Sequence, residues 1–145
     1  MNKPIIHLLL VLAISIAFSF VNSNAYFWGN QPNLIQVCTS ILYIILWSLY
    51  GLFFGLTRKT TLFKMFNYYW IVGSALYFVG FSLRVTPLIF ITGFILPGPT
   101  YGIRRLLDIP SDYRLVFLCM LLCYGLYLVG TVIGASLRRR KSQSS

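Results

Sequence analysis

The sequence predicts an all-α integral membrane protein: a bundle of four transmembrane helices plus a proline-broken re-entrant or half-span segment. Two observations support this fold class. Hydrophobic residues fill 58% of the 145 positions and charged residues only 10%, whereas about one quarter of an ordinary soluble domain is charged. The charges also lie in short clusters, and the apolar runs between them approach the ~20 residues that a helix needs to cross a bilayer. Residues 1–145 are therefore predicted to form a single polytopic membrane domain.

The first predicted span covers residues 5–21. No Lys, Arg, Asp or Glu occurs from residue 4 to residue 57, and the polar residues 22–24 are expected to end the first helix. Lys3 ahead of an apolar stretch, with small residues up to Ala25, also fits a secretory signal peptide. The two alternatives are an uncleaved anchor and a signal peptide cleaved after Ala25. Both start with the amino end in the cytoplasm.

The second, third and last predicted spans cover residues 34–56, 65–83 and 115–137, which contain no charged side chain. At 1.5 Å per residue, the 23 residues of the second and last runs reach about 34 Å. That length crosses a hydrocarbon core of about 30 Å with some tilt. Residues 138–145 are predicted to form a basic cytoplasmic tail.

Residues 85–103 form a further charge-free run that proline interrupts. Pro87 opens its densest apolar stretch, and Pro97 and Pro99 follow that stretch closely. Proline lacks the amide hydrogen and clashes with the preceding helical turn. We therefore expect a re-entrant or half-span segment whose irregular backbone faces protein or water. The alternative is a fifth transmembrane helix kinked at Pro97.

The distribution of cations favours four spans over five. The chain holds twelve Lys and Arg and only two acids. With four spans and the amino end inside, eight cations are cytoplasmic and four are outside. With five spans the numbers become seven and five, and the cluster at residues 138–141 would have to be exported. Because Lys and Arg are retained in the cytoplasm, both ends of the chain are predicted to be cytoplasmic.

The net charge of +10 predicts contact with anionic lipid rather than with nucleic acid. The cations lie between apolar runs, where they set orientation and meet lipid headgroups, and they form no continuous basic face. The expected partners are the lipid bilayer and either a second copy of the chain or another membrane protein. Compactness and short loops favour a bacterial plasma membrane as the location.

Two glycine pairs are predicted to be helix-packing sites. Gly51 and Gly55 lie near the end of the second span, and Gly130 and Gly134 lie near the end of the last. Glycines four residues apart allow two membrane helices to approach closely. The resemblance between the two pairs fits either an internal duplication, with both spans in the same direction, or chance. The contacts could lie within one molecule or between copies.

Both acids of the chain lie in a polar stretch that follows the proline-broken segment. The possible functional residues of this region are Pro97, Pro99, Arg104, Arg105, Asp108 and Asp112. Paired carboxylates can act as acid and base or bind a cation, but here arginines flank both acids and ion pairing at the membrane surface is the simpler expectation. We predict no catalytic residue, no metal ligand and no cofactor.

Three functions are compatible with these observations. The leading hypothesis is a small non-enzymatic membrane protein that acts by helix–helix contact, as an accessory or protective subunit. The second is a pore-forming protein, similar in general shape to phage holins, with the proline-broken segment lining an opening. The third is an enzyme that acts on lipids through Arg104, Arg105, Asp108 and Asp112. Proton-coupled transport is disfavoured, because no ionisable residue lies deep within a predicted span.

Overall fold

The computed structural model describes residues 3–110 and 112–143, and within those residues it is helical and contains no strand. Six α-helices are connected by short turns, and one 3₁₀ helix lies between the fourth and the fifth. Their bounds are α1 Lys3–Trp28, α2 Leu34–Thr57, α3 Thr60–Leu83, α4 Thr86–Ile95, the 3₁₀ segment Gly98–Ile103, α5 Arg104–Leu107 and α6 Tyr113–Gln143. The prediction of an all-helical fold is confirmed.

Local capping explains several of these boundaries. Asn33 accepts a hydrogen bond from the Gln36 amide, and the Gln36 side chain accepts one from the Asn33 amide, so α2 starts with a reciprocal capping box. Arg58 and Arg84 adopt left-handed conformations at the ends of α2 and α3. Asp112 accepts hydrogen bonds from the first amides of α6 and so satisfies groups that a helix start leaves unpaired.

The first helix extends beyond its predicted end. Residues 22–24 were expected to interrupt it, yet α1 continues through them to Trp28. The side-chain nitrogen of Asn22 donates to the Phe18 carbonyl and to two groups outside the helix, and the Ser23 hydroxyl donates to the Phe20 carbonyl. The donor groups of both side chains thus have protein acceptors, so the helix can continue through them.

Helices α2 and α6 run parallel and form the closest helix pair of the bundle. Gly51 faces Tyr127 and Thr131, and four residues further along Gly55 faces Gly134. Since α2 connects to α3 through two residues, the final turn of α6 lies beside the α2–α3 connection. There the Arg138 guanidinium donates to the Gly55 carbonyl at 2.8 Å.

We call the two extremities of the bundle the basic end and the opposite end. The basic end contains the start of α1, the α2–α3 connection and the last turns of α6, where residues 58, 59 and 138–141 are all cationic. A cavity lined by Pro4, His7 and residues 58–62 shows that α1 starts at this end. The opposite end contains residues 29–33, 84–85, 108–110 and 112.

Helix α4 enters the bundle from the opposite end and stops part-way. It runs antiparallel to α3, with Leu88 beside Gly80 and Leu96 beside Gly73. A bend of 67° separates α4 from residues 98–107. Gly98 lies against the Ser19 side chain of α1. Further along the segment, the Arg104 side chain donates to the Gly29 carbonyl. The segment therefore returns to the end from which it started.

Aromatic side chains fill the core between α2, α3 and α6. The ring centroids of Trp47 and Trp70 are 4.9 Å apart, and those of Trp47 and Phe66 are 5.8 Å apart, in edge-to-face arrangements. Tyr127 packs edge-to-face against Trp47 from α6. Such pairs add about 0.5–1.5 kcal/mol beyond the area they bury. These large rings hold α3 at a distance from α2 and α6, in contrast to the close contact at the glycines.

Among the described residues, three helices are long and apolar enough to cross a membrane: Pro4–Trp28, Leu34–Thr57 and Tyr113–Lys141. The number rises to four if the bent pair Thr86–Ile95 and Gly98–Leu107 is one span. Helix α3, which contains the predicted span 65–83, has 24 residues but is less apolar, because it includes Lys64, Asn67 and three consecutive amphipathic aromatics. The structure is thus compatible with a membrane protein that has three to four candidate spans.

Candidate functional site

The 3₁₀ segment and its surroundings form the most polar part of the buried interior. All six residues of Gly98–Ile103 are buried, and Pro97 is buried before them. The hydrogen bonds of a 3₁₀ helix have poorer geometry than those of an α-helix, and a short segment leaves unpaired backbone groups at its ends. In a chain surrounded by lipid, the remaining carbonyl and amide groups must find partners inside the protein.

Asn22 of α1 and Ser40 of α2 supply the central partners. The Asn22 side-chain nitrogen and the Ser40 hydroxyl each donate to the Pro99 carbonyl at 3.0 Å. The Ser40 oxygen also accepts a 3.0 Å hydrogen bond from the Gly102 amide. The two side chains thus hold the 3₁₀ segment between α1 and α2.

Neighbouring hydroxyl and thiol groups complete this arrangement. Ser19 donates to the Phe94 carbonyl at the end of α4, and the Thr100 hydroxyl donates to the Pro97 carbonyl at 2.9 Å. The Cys119 thiol of α6 lies 3.8 Å from the Thr100 carbonyl oxygen. The irregular backbone therefore faces protein, one of the two surroundings that the sequence predicted for it.

Close backbone packing fixes the position of Gly102. An added Cβ would collide with the Gln36 carbonyl oxygen and lie 2.7 Å from the Ser40 hydroxyl. Only glycine allows the 3₁₀ segment to lie this close to α2. The Gln36 side chain also donates to the Val21 carbonyl of α1 at 2.9 Å, so α1, α2 and the segment are joined at one level of the bundle.

The two arginines predicted as possible functional residues bind backbone carbonyls. Arg104 donates to the Ile109 and Gly29 carbonyls at 3.1 and 2.7 Å, and Arg105 donates to the Pro32 carbonyl at 3.3 Å. These hydrogen bonds connect α5 to the segment between α1 and α2. The sequence had instead predicted ion pairs between the arginines and the nearby acids.

The two acids have different positions. Asp112 caps α6, and Asp108 ends α5 in a left-handed conformation (φ 50°) with an exposed side chain. In the part of the chain that the structure describes, no group of three or more His, Cys, Asp or Glu is arranged to hold a metal ion.

The four predicted packing glycines lie against one another inside a single molecule. A Cβ on Gly51 or Gly55 would collide with a carbonyl oxygen of α6, and one on Gly130 or Gly134 would collide with a carbonyl oxygen of α2. This is the close approach that glycines at a spacing of four permit between membrane helices. The contact faces of these glycines are therefore occupied within the chain.

Comparison with known protein families, with curated proteins and with solved structures finds no match to this chain. Its functional interpretation therefore rests on the arrangement of its own residues.

A cleft of about 750 Å³ lies between α3 and α6 towards the opposite end. Its walls are largely apolar, and Asp108 and Arg114 lie at its polar margin. Phe78 and Phe81 of α3 and Phe117 of α6 line it and are about half exposed. This cleft could not be predicted from the sequence, because no residue pattern shows where two helices separate.

Proposed function

We propose that this chain is a small, non-enzymatic, multi-pass protein of a plasma membrane. In the proposed topology α1, α2, α3 and α6 cross the bilayer, and α4 with the 3₁₀ segment forms a re-entrant element. The parallel direction of α2 and α6 supports this topology, since it brings residues 58–59 and 138–141 to one end. Positive residues are retained in the cytoplasm, so the proposed orientation has both chain ends inside.

The proposed activity is contact with a helix of another membrane protein, in which this chain serves as an accessory or protective subunit. The observation that carries the proposal is the cleft between α3 and α6. Exposed aromatic side chains of α3 and exposed aromatic and aliphatic side chains of α6 converge there, whereas the glycine faces of α2 and α6 are already used within the molecule.

The chemistry of the cleft fits an apolar helix with a polar terminus. Phe78, Phe117 and Leu121 offer apolar surface, against which side chains of a partner helix gain van der Waals contact, the main source of helix association in lipid. The exposed Arg114 and Asp108 lie at the margin, where polar groups just outside the hydrocarbon region of the partner could pair with them.

Site-specific photo-crosslinking in the native membrane tests this proposal. A photoreactive phenylalanine analogue replaces Phe117 inside the cleft or, as the control, Val132, which is 66% exposed on α6 and does not line the cleft. We expect one discrete protein adduct at Phe117 that is absent at Val132, and the adduct should disappear with Leu121→Arg.

The crosslinked protein is then identified by mass spectrometry and purified with a tag of its own. Recovery of this chain with the tagged partner would support the proposal. Equal labelling at both positions, or labelling of lipid alone at Phe117, would contradict it.

A further inference from the structure

The short length of α4 leaves a second groove between α1 and α3. With 10 residues α4 is about 15 Å long, which is half of a hydrocarbon core of about 30 Å. Beyond its tip, towards the basic end, an apolar groove of about 440 Å³ continues along α1 and α3. Ile95 and Leu96 at the tip of α4 close its inner end.

The walls of this groove follow helical spacing on both sides. Leu8 and Leu12 line it from α1, and Met65, Tyr69 and Gly73 line it from α3. Residues four apart lie on the same helix face, so the groove is a continuous channel along both helices. Water in the groove would find no hydrogen-bond partners in its apolar lining, and an empty groove would forfeit dispersion contacts. A hydrocarbon chain needs no hydrogen bonds and supplies the dispersion contacts.

A cationic cavity lies at the open end of the groove. It has a volume of about 300 Å³ and is lined by Pro4, His7, Arg58, Lys59, Thr60, Thr61 and Leu62. Pro4 precedes Leu8 by one helical turn and Thr61 precedes Met65 by one turn, so the cavity and the groove adjoin along both helices. The lining contains two cations, two hydroxyl groups and no acid.

His7 also lines this cavity. Its Nδ1 atom is closed to solvent and has no hydrogen-bond partner among the residues that the structure describes, so it does not face a ligand in the cavity. The attraction of the cavity for a phosphate therefore comes from the cations Arg58 and Lys59.

We propose that the groove and the cavity together bind one anionic phospholipid of the leaflet at the basic end. One acyl chain occupies the groove up to Leu96, and the phosphate lies beside Arg58 and Lys59. The shared chemistry is a phosphate monoanion, which a lipid or a free phosphate ester could supply. The acyl groove favours the lipid. This inference uses the membrane location but not the partner helix at the α3–α6 cleft.

Native mass spectrometry of the detergent-purified chain tests the proposal. The probes are phosphatidylglycerol, phosphatidylcholine with the same acyl chains, and glycerol phosphate. We expect one tightly retained phosphatidylglycerol, with phosphatidylcholine retained at least tenfold less. The paired variant Arg58→Gln/Lys59→Gln should weaken retention by about thirtyfold, the effect of two cations near an anionic lipid.

Matched variants separate headgroup from acyl-chain recognition. Arg139→Gln/Arg140→Gln removes the same charge at the same end without touching the cavity and should leave retention within threefold. Leu12→Trp fills the groove and should abolish retention, whereas Leu9→Trp, at a position 52% exposed outside the groove, should not. Circular dichroism of each variant verifies that its helices remain.

Several results would overturn the inference. Equal retention of the two lipids would remove anionic selectivity, and unchanged retention in folded Leu12→Trp would remove the acyl groove. Binding of glycerol phosphate as tight as that of phosphatidylglycerol would identify a free phosphate ester as the source. None of these results affects crosslinking at Phe117, so the partner-helix proposal can fail or succeed separately.

Discussion

Replacing Gly51 by alanine measures how much the close approach of α2 and α6 contributes to stability. A Cβ at this position would collide with the Tyr127 carbonyl oxygen and lie 2.9 Å from its carbonyl carbon. Non-bonded carbon atoms prefer separations of about 3.5–4.0 Å. Both obstructing atoms belong to the backbone, so a rotamer change cannot relieve the contact. The helices must instead move apart by roughly 1 Å.

The expected magnitude follows from two opposing effects. Overpacking of a well-packed interior costs about 1–3 kcal/mol, and alanine recovers about 0.8–1.0 kcal/mol as the better helix former. Gly125 is the matched control, because a Cβ there meets nothing within 4 Å. Gly125→Ala should therefore be neutral or stabilising, and Gly51→Ala should be less stable than Gly125→Ala by about 1–3 kcal/mol.

The assay is unfolding by a denaturing detergent in mild micelles, followed by tryptophan fluorescence and circular dichroism. Gly130→Ala should give a similar loss, since its Cβ would collide with the Ser48 carbonyl oxygen at the same interface. The double variant Gly51→Ala/Gly130→Ala should lose less than the sum, because one separation of the helices relieves both contacts. Equal stability of Gly51→Ala and Gly125→Ala would refute the reasoning.

Two further predictions concern the 3₁₀ segment and the topology. Ser40→Ala removes the acceptor of the buried Gly102 amide and one of the two donors to the Pro99 carbonyl. It should destabilise the fold by about 1–3 kcal/mol. Ser136→Ala, at an exposed hydroxyl, should change stability by less than about 0.5 kcal/mol in the same unfolding assay. Single cysteines at Asn30, Thr60 and Gln143, in a background without native cysteines, should show the last two labelled from one side of the membrane and the first from the other. Labelling of Thr60 and Gln143 from opposite sides would support five spans instead.

The positions of the helices were predictable because they follow one property of the sequence, the absence of charged residues. Lipid excludes charge, so each charge-free run marks the centre of a helix. The predicted second span at 34–56 corresponds to α2, Leu34–Thr57. Helices α3 and α6 extend further, because they also include charged residues at their ends. Proline likewise marked the end of α4, since Pro97 follows its last residue by two positions. The first helix is longer than predicted because a polar residue in an apolar run does not require contact with water. The side-chain nitrogen of Asn22 has its hydrogen-bond partners inside the protein.

The candidate site was less predictable, because its polar residues act on backbone that is distant in sequence. Ser40 contacts a carbonyl 59 residues away, and Asn22 contacts the same carbonyl across 77 residues. The only sign of the site in the sequence is the presence of polar residues such as Asn22 and Ser40 within apolar runs. A buried polar side chain needs a hydrogen-bond partner, but its position in the sequence does not show which backbone group supplies it. Arg104 was recognised as a possible functional residue, but its carbonyl partners depend on the fold of residues 29–30.

The incomplete depth of α4 also gives the molecule a different width at its two faces. Towards the opposite end, the cross-section of the described chain contains α1, α2, α3, α4, α6 and the returning 3₁₀ segment, whereas towards the basic end it contains only α1, α2, α3 and α6. Such a body is a wedge. In a flat bilayer it displaces more lipid from one leaflet than from the other, and many copies together would impose curvature. If the proposed lipid occupies the α1–α3 groove, it fills the narrower half and reduces that asymmetry, so the proposal also predicts that lipid occupancy changes the local membrane shape.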